Sequence, residues 1–154
     1  MSYSNFLSRI RQSLPQERLL DSPAERLAHG TDASFYRLTP KLVVKAATEE
    51  QVGSLIKAAA EEEVPLTFRT AGTSLSGQAV TDSVLVKLGH DWKGFNIEES
   101  GKLISLQPGI IGSWANRLLK PHGRKIGPDP ASIDSAMIGG IVANNASGMC
   151  CGTA

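Results

Sequence analysis

The sequence predicts an α+β fold in which a small parallel βαβ unit precedes a larger part with antiparallel strands. Between residues 42 and 69, a short apolar run, an amphipathic helical pattern and a second apolar run follow one another, which is the order of a βαβ unit. The later apolar runs 84–88, 94–99 and 102–109 have only short turns between them. Runs spaced in this way are typical of an antiparallel arrangement.

Two short helices are predicted before the βαβ unit. The first is interrupted by Pro15, and its apolar face comprises Phe6, Ile10 and Leu14. The second begins at Ser22-Pro23, because serine is a favoured N-cap and proline fits the first helical position, and it ends at Gly30. The polar residues 31–41 predict a loop.

The helix of the βαβ unit begins with a capping signature, since Gln51 follows Thr48 by three residues. Its apolar face is predicted to comprise Val52, Leu55, Ile56 and Ala59, with the glutamates outside. Pro65 ends it. The flanking strands at 42–47 and 65–69 should therefore run parallel to each other.

Beyond the antiparallel runs, which turn at 99–101, a helix is predicted at 114–123 with Ser113 as its N-cap. Its buried residues should be Trp114, Leu118 and Leu119. Residues 127–154 then predict a proline-rich turn, a small-residue helix and a second glycine-rich loop. We also expect the chain to be a fragment, because it ends on an unfinished loop.

Composition narrows the classes of function. A hydrophobic content of 41% with 20% charged residues is ordinary for a globular protein. The net charge of +1 gives no electrostatic reason to expect nucleic acid or an anionic membrane as a partner. We find no signal-peptide core and no run long enough to span a membrane, so we expect a cytoplasmic protein. The histidines lack ligand spacing relative to Cys150 and Cys151, so no metal site is predicted.

The segment 69-RTAGTSLSGQ-78 follows the second predicted strand and consists mainly of glycine and residues with small or hydroxylated side chains. Gly72 and Gly77 can adopt positive φ, which exposes successive backbone N–H groups on one side. Hydroxyl donors come from Thr73, Ser74 and Ser76, and Arg69 is the one cation nearby. These donors suit a phosphate or pyrophosphate, whereas a mobile linker is an equally good interpretation of the loop alone. Its pattern matches neither a GxxxxGK[ST] loop nor a GxGxxG turn.

A second small-residue segment, 137-MIGGIVANNASG-148, favours the ligand-binding interpretation. Glycine inside a helix costs about 1 kcal/mol relative to alanine, so the pair Gly139-Gly140 needs a reason. The close approach of a ligand is one reason, and tight packing of the helix is the alternative. The polar residues Asn144, Asn145 and Ser147 fit either ligand contacts or capping roles.

Together, RTAGTSLSGQ and GPDPASIDSAMIGGIVANNASG resemble the FAD-binding domain of vanillyl-alcohol-oxidase-type (PCMH-type) flavoproteins. The resemblance runs from Thr39 to the last residue and is greatest to the branch with glycolate, D-lactate and D-2-hydroxyglutarate dehydrogenases. It implies two α+β subdomains that hold FAD between them: 39–83 with the small parallel βαβ unit, and 84–154 with a larger mixed or antiparallel sheet, truncated at its C-terminus. Residues 1–38 would be an N-terminal helical extension. The ending SGMCCGT is similar to that of large bacterial fusions with an iron–sulfur region.

The resemblance also implies roles for both segments. The loop 69–78 would wrap the pyrophosphate through its amides, and 128–148 would cover the ribitol, the phosphates and one side of the isoalloxazine. The implied cofactor-binding residues are Arg69, Ala71, Gly72, Thr73, Ser74, Leu75, Ser76, Gly77, Gln78, Pro128, Asp129, Ser132, Met137, Ile138, Gly139, Gly140, Ala143, Asn144, Ser147 and Gly148. Family loops often read R-x-G-G, and Ala71 replaces the first of these two glycines. Of this pair of positions, only Gly72 is therefore expected to take positive φ. Some relatives bond flavin through a histidine where this chain has Thr73, which implies non-covalent FAD.

The activity implied by the resemblance is FAD-dependent oxidation of a D-2-hydroxy acid, of the D-lactate, glycolate or 2-hydroxyglutarate type, to the 2-oxo acid. The flavin N5 would accept the hydride, and an iron–sulfur cluster would belong only to the missing C-terminal part. No electron acceptor or catalytic residue is identified in this chain, which we expect to be inactive alone. Electron-transfer partners at the inner membrane would make the protein peripheral to it.

Three soft side chains, Met149, Cys150 and Cys151, fall close to the expected flavin face. A catalytic thiol and an apolar packing role are the two interpretations, of which packing is favoured. Two other classes of function compete with the enzyme. One is a non-catalytic module that binds a nucleotide or phosphorylated ligand, and the other is a structural fragment with an empty cleft.

Overall fold

The computed structural model describes residues 2–149 and 151. It confirms the α+β class, with one mainly parallel sheet and one antiparallel hairpin. The chain divides into two compact units. The first contains the residues up to Arg69 together with Ser74–Leu88, and the second contains Thr70–Thr73 and the residues from Gly89 onward. Among the described residues, no helix is both long and apolar enough to cross a bilayer.

The first unit consists of three α-helices and a four-stranded sheet. Its elements in chain order are α1 (Tyr3–Ser13), β1 (Leu19–Leu20), α2 (Pro23–Ala28), β2 (Leu42–Lys45), α3 (Glu49–Glu62), β3 (Leu66–Arg69) and β4 (Val84–Lys87). The strand order is β1-β2-β4-β3, with β1 antiparallel to β2 and the other pairs parallel. The two strands of the predicted βαβ unit are therefore parallel, but β4 lies between them.

The position of β4 corrects the sequence prediction, which assigned the run from Val84 to the antiparallel arrangement. Val84, Leu85 and Val86 are fully buried, as a central strand of a parallel sheet requires. The connection from β3 to β4 is the loop 70–83, and because it carries no helical pattern, the sequence did not indicate a crossover. The domain boundary expected at Val84 thus differs from the division of the structure, which keeps β4 in the first unit.

The helices α1 and α3 pack on one face of this sheet. The core on that face includes Phe6, Ile10, Leu42, Val44, Leu55, Val84 and Val86. The opposite face buries the smaller cluster Leu20, Val43 and Leu85. The predicted apolar face of α3 is confirmed for Leu55 and Ala59, which are buried, and for Val52, which packs against the core. Ile56 is half exposed, and Ala58 is buried in its place.

Predicted helix starts in the first unit are confirmed. The Ser22 side chain caps α2 in a capping box with Glu25. The Thr48 Oγ1 accepts from the Gln51 amide at 3.3 Å, but the Gln51 Oε1 accepts from Ala47 N at 2.8 Å, one residue before the N-cap. The reciprocal bond of a capping box is therefore shifted outward by one residue.

The second unit contains an antiparallel hairpin and two short helices. Its elements are β5 (Phe95–Glu98), β6 (Leu103–Leu106), α4 (Gly112–Leu119) and α5 (Ile138–Ala143). The hairpin confirms the antiparallel pairing predicted for these two runs, and its turn at 99–101 places Ser100 and Gly101 at φ 53° and 86°.

The helix α4 begins earlier than the sequence predicted. Ile111, not Ser113, is its N-cap. Backbone carbonyls replace the expected side-chain cap, because Ser113 N donates to Ile133 O at 3.0 Å. The earlier start also changes the buried face to Gly112, Ala115 and Leu119, with Trp114 and Leu118 half-buried.

Candidate cofactor-binding site

The loop 70–78 begins directly after β3 and contains two residues in the left-handed backbone region. Gly72 has φ 75° and Gly77 has φ 70°, as the sequence predicted for both. Carboxyl ends of parallel strands are the usual ligand side of an α/β sheet. The loop therefore leaves the sheet where a ligand is expected.

The Ser74 hydroxyl organises the second half of this loop. Its Oγ accepts from Ser76 N at 3.2 Å and from Gln78 N at 3.4 Å, and it donates to the Gln78 Oε1 at 2.8 Å. By contrast, the amides of Gly72 and Thr73 donate to no protein acceptor within the described residues, although both residues are half-buried. Successive backbone N–H groups without a protein acceptor are suited to the oxygens of an anion.

Gly77 has a packing reason of its own. A Cβ at this position would lie 2.6 Å from the Tyr36 Cδ2, and the positive φ would strain any other residue. The ring of Tyr36 therefore already explains why glycine stands at position 77, whether or not a ligand approaches it.

Arg69, the predicted cation of the loop, is occupied on one side. Its Nη1 donates to the carbonyl oxygens of Thr31 at 2.7 Å and His29 at 3.3 Å. Its Nε is buried and has no hydrogen-bond partner within the described residues. The guanidinium thus braces the 29–31 backbone through Nη1, while its buried Nε has no partner in the described residues.

Asp32 fixes the same region. Its carboxylate accepts from Ser34 N at 2.8 Å and from Ala79 N at 3.4 Å. Burial acts to raise the pKa of Asp32, but these hydrogen bonds and the charge of Arg69 outweigh it, so the pKa lies below its ordinary value. The carboxylate stays ionised and ties the end of the loop to the 31–34 segment.

Within the second unit, the first residues of the loop contact the small-residue helix α5. A Cβ at Gly139 would lie 3.0 Å from the Thr70 Cγ2 and 2.7 Å from the Pro108 Cβ. A Cβ at Gly140 would lie 3.0 Å from the Thr70 Oγ1. The two segments singled out in the sequence are therefore neighbours, and close packing against Thr70 and Pro108 accounts for the glycine pair.

The residues before and after α5 are also brought together. Asp129 N donates to the Cys151 Sγ at 2.8 Å, and Gly148 N donates to the same sulfur at 3.2 Å. A side chain at Gly148 would overlap the Asp129 carbonyl. The thiol thus closes the segment 128–148 on itself. Met149 is fully exposed, against the packing role expected for it, and Cys150 lies outside the described residues.

The remaining predicted residues of this segment have mixed settings. The Ser132 carbonyl accepts from Ala136 N at 2.7 Å, and Met137 forms an isolated antiparallel bridge with Ile111. The exposed residues of the segment include Ala143, Asn144, Asn145 and Ser147. Asn144 is the C-cap of α5, so one of the two roles considered for it is observed.

Sequence reasoning missed three residues of this region. Thr70, which contacts both glycines of α5, carries no signal in the sequence that distinguishes it from its neighbours. Lys87 ends β4 beside Arg69 of β3, and Lys45 ends β2 on the other side of Lys87. Their signal was available, because the runs LVVK and VLVK both close with lysine.

The amides of Gly72 and Thr73 are two successive donors without a protein acceptor in the described part of the chain, and donors of this kind fit the oxygens of a diphosphate. The fold and this loop therefore define a nucleotide-cofactor-binding domain. Comparison with known proteins gives the family. Residues 40–154 match the family model described as an FAD binding domain. The chain belongs to this PCMH-type family of FAD-binding domains.

Similar proteins agree with this assignment. The glycolate oxidase subunit GlcD of Escherichia coli K12 is 32% identical over 96% of this chain and 30% of its own length. The D-2-hydroxyglutarate dehydrogenase of Pseudomonas putida KT2440 is 29% identical over 96% of this chain and 15% of its own length. The chain thus spans less than a third of these relatives.

Solved structures support the fold. An alkyldihydroxyacetonephosphate synthase structure matches with a TM-score of 0.82 at 21% identity, over 96% of this chain and 30% of its own. A p-cresol methylhydroxylase structure matches with a TM-score of 0.65 at 15% identity, over 79% of this chain and 25% of its own. At these identities the likeness concerns the fold alone.

Proposed function

We propose that this chain binds FAD non-covalently and is the cofactor-binding part of a dehydrogenase that oxidises a D-2-hydroxy acid to the 2-oxo acid. The observation that carries the proposal is the loop after β3, in which the amides of Gly72 and Thr73 have no protein acceptor within the described residues. These amides would hold the diphosphate of FAD. Bound flavin supplies the hydride-accepting chemistry, and the protein orients it.

The hydroxyl side chains of the loop support a diphosphate as ligand. Ser74 holds the second half of the loop in place through its hydrogen bonds to Ser76 and Gln78. Thr73 has no nucleophilic nitrogen with which to bond flavin, which supports non-covalent binding. The segment 128–148 would cover the rest of the cofactor, with Asn144 and Ser147 among its exposed polar groups.

The choice of substrate rests on the relatives. Glycolate oxidase and D-2-hydroxyglutarate dehydrogenase are named for small 2-hydroxy acids. Because the chain spans less than a third of either, the residues that bind and deprotonate the substrate are proposed to lie elsewhere in the whole protein. The same holds for the electron acceptor and any iron–sulfur cluster.

Flavin titration of the chain tests the cofactor. FAD should bind with a change in its fluorescence, and riboflavin, which lacks the diphosphate, should bind at least about tenfold more weakly, since charge-assisted hydrogen bonds contribute about 1.5–3 kcal/mol each. Equal affinity for the two flavins would show that the loop does not recognise the diphosphate.

A matched pair of glycine variants tests the loop itself. Gly72→Ala strains a positive φ at the site, whereas Gly123→Ala strains a similar φ of 66° at a position with open space around it. Both should cost similar stability, about 1–2 kcal/mol, but only Gly72→Ala should weaken FAD binding. Gly77 is less suitable, because a side chain there also meets Tyr36.

Anaerobic reduction tests the substrate in the whole protein. D-Lactate, glycolate or D-2-hydroxyglutarate should bleach the flavin absorbance, and the L-enantiomers of the chiral acids should not. A flavoprotein that none of the three acids reduces would contradict the proposed reaction while leaving FAD binding intact.

A further inference from the structure

Three basic residues form a row across the first unit, at the carboxyl ends of its parallel strands. Lys87 of β4 is the register partner of Lys45 on β2 and of Arg69 on β3. Register partners of neighbouring strands point to the same face of a sheet and lie about 4.8 Å apart. We call these three residues the basic row.

The face that carries the basic row follows from the strand alternation. Val43 and Leu85, two positions before Lys45 and Lys87, belong to the small core cluster on the face opposite α1 and α3. Both lysines are half-buried on this face. The row is thus a feature of the sheet itself and not a set of flexible surface lysines.

The charges of the row are poorly compensated. Arg69 has Asp32 as an electrostatic partner, but no carboxylate forms an ion pair with Lys45 or Lys87 within the described residues. Burial, together with the charges of Arg69 and Lys45, lowers the pKa of Lys87. Half-burying like charges side by side opposes folding unless a counter-charge is supplied.

The buried Nε of Arg69 is a second sign of a missing partner. This donor has no hydrogen bond in the described part of the chain, whereas the Nη1 of the same guanidinium has two acceptors. Buried donors are almost always paired in folded proteins. An anion is the partner that would serve both the donor and the uncompensated lysines.

We propose that the basic row is a binding site for a phosphoryl anion that carries at least two negative charges, with Lys87 at its centre. Lysine ammonium groups bind phosphate as point charges. Lys45 and Lys87 together carry two positive charges without an ion-pair partner in the described residues, and a dianion would neutralise both. The site lies wholly in the first unit and adds Lys45 and Lys87 to the residues considered for the flavin; where the anion is the cofactor diphosphate, the inference rests on the proposed function. The anion comes either from the diphosphate of a dinucleotide or from a separate phosphorylated molecule.

Calorimetric titration with inorganic pyrophosphate tests the site on the unaltered chain and on two variants. Lys87→Gln removes the central charge, and Lys57→Gln removes the same charge from the exposed side of α3, outside the row. Pyrophosphate should bind the Lys87→Gln variant about tenfold more weakly, because charge-assisted contacts of this kind contribute about that factor. Binding to the Lys57→Gln variant should change less than about twofold.

Thermal unfolding shows whether a variant binds pyrophosphate more weakly only because it is partly unfolded. Without ligand, Lys87→Gln should melt no lower than the unaltered chain, because it removes a half-buried charge from between two others. Pyrophosphate should raise the melting temperature of the unaltered chain and of Lys57→Gln, but not of Lys87→Gln.

The source of the anion is distinguished by competition. If FAD displaces pyrophosphate and riboflavin does not, the row binds the cofactor diphosphate; if pyrophosphate still binds in the presence of saturating FAD, it binds a separate phosphorylated ligand. Either result upholds the anion site. No binding of pyrophosphate, or equal weakening in the Lys87 and Lys57 variants, would overturn it, and FAD binding could still succeed on its own.

Discussion

Replacing Gly139 with alanine measures the packing between α5 and the start of the loop. The new Cβ would lie 2.7 Å from the Pro108 Cβ and 3.0 Å from the Thr70 Cγ2, well inside the usual carbon–carbon contact of about 3.5–4.0 Å. Overpacking of this kind costs about 1–3 kcal/mol, and the gain in helix propensity offsets about 1 kcal/mol of it. Gly139→Ala should therefore lower the free energy of unfolding by up to about 2 kcal/mol.

Gly53 provides the matched control for this prediction. It lies inside α3, and a Cβ there would meet nothing within 4 Å. Gly53→Ala should consequently show the propensity gain alone and raise the free energy of unfolding by about 1 kcal/mol. The opposite signs of the two substitutions isolate the packing contribution.

Urea unfolding followed by circular dichroism provides the assay, with the midpoint and slope determined for each variant. The double variant Gly139→Ala/Thr70→Ser removes the Cγ2 contact and should recover part of the loss, while the Pro108 contact remains. If Gly139→Ala stabilises as much as Gly53→Ala, the packing of Thr70 and Pro108 on α5 is refuted.

Three further predictions concern the first unit. Ser22→Ala removes the capping box with Glu25 and should lower the free energy of unfolding by about 1 kcal/mol, measured in urea. Burial acts to raise the pKa of Asp32, but the hydrogen bonds from Ser34 outweigh it and lower the pKa. The Asp32→Asn variant should therefore be less stable than the unaltered chain near pH 7, and the difference should shrink as the pH falls through the folded pKa of Asp32. Urea midpoints at several pH values measure this difference. The pKa of Lys87 is lower in the folded chain than its ordinary value of 10.5, so between these two values the unfolded chain binds more protons than the folded one. The contribution of Lys87 to the free energy of unfolding should therefore rise with pH in this interval. The dependence of the urea midpoint on pH should be weaker in the Lys87→Met variant.

Local signals in the sequence predicted the elements of the fold well. The caps at Ser22 and Thr48 were recognisable, because short side chains with oxygen acceptors satisfy amides only a few residues away. The positive φ of Gly72 and Gly77 was predictable for the same reason, since it depends on the residue type itself. Such features need no knowledge of distant neighbours.

The order of the strands and the contacts between residues far apart in the chain were harder to predict from the sequence. No local feature of the sequence indicates that β4 inserts between β2 and β3, because strand order depends on which apolar surfaces are buried together. Thr70 illustrates the same difficulty in the site, since its contact with α5 joins residues about seventy positions apart. The basic row was not predicted from the sequence, because Lys45, Lys87 and Arg69 become neighbours only when β4 lies between β2 and β3.

The helix-free connection from β3 to β4 has a consequence for the origin of the candidate site. The fourteen residues 70–83 need only return along a four-residue strand, about 13 Å, although fully extended they could reach more than 45 Å. The surplus chain has to fold back on itself, and it does so with positive φ at Gly72, where the Gly72 and Thr73 amides have no protein acceptor in the described residues, and at Gly77. The length of the loop, and not its composition alone, thus accounts for these turns, and a shortened loop with the same glycines should keep the sheet and lose the turns.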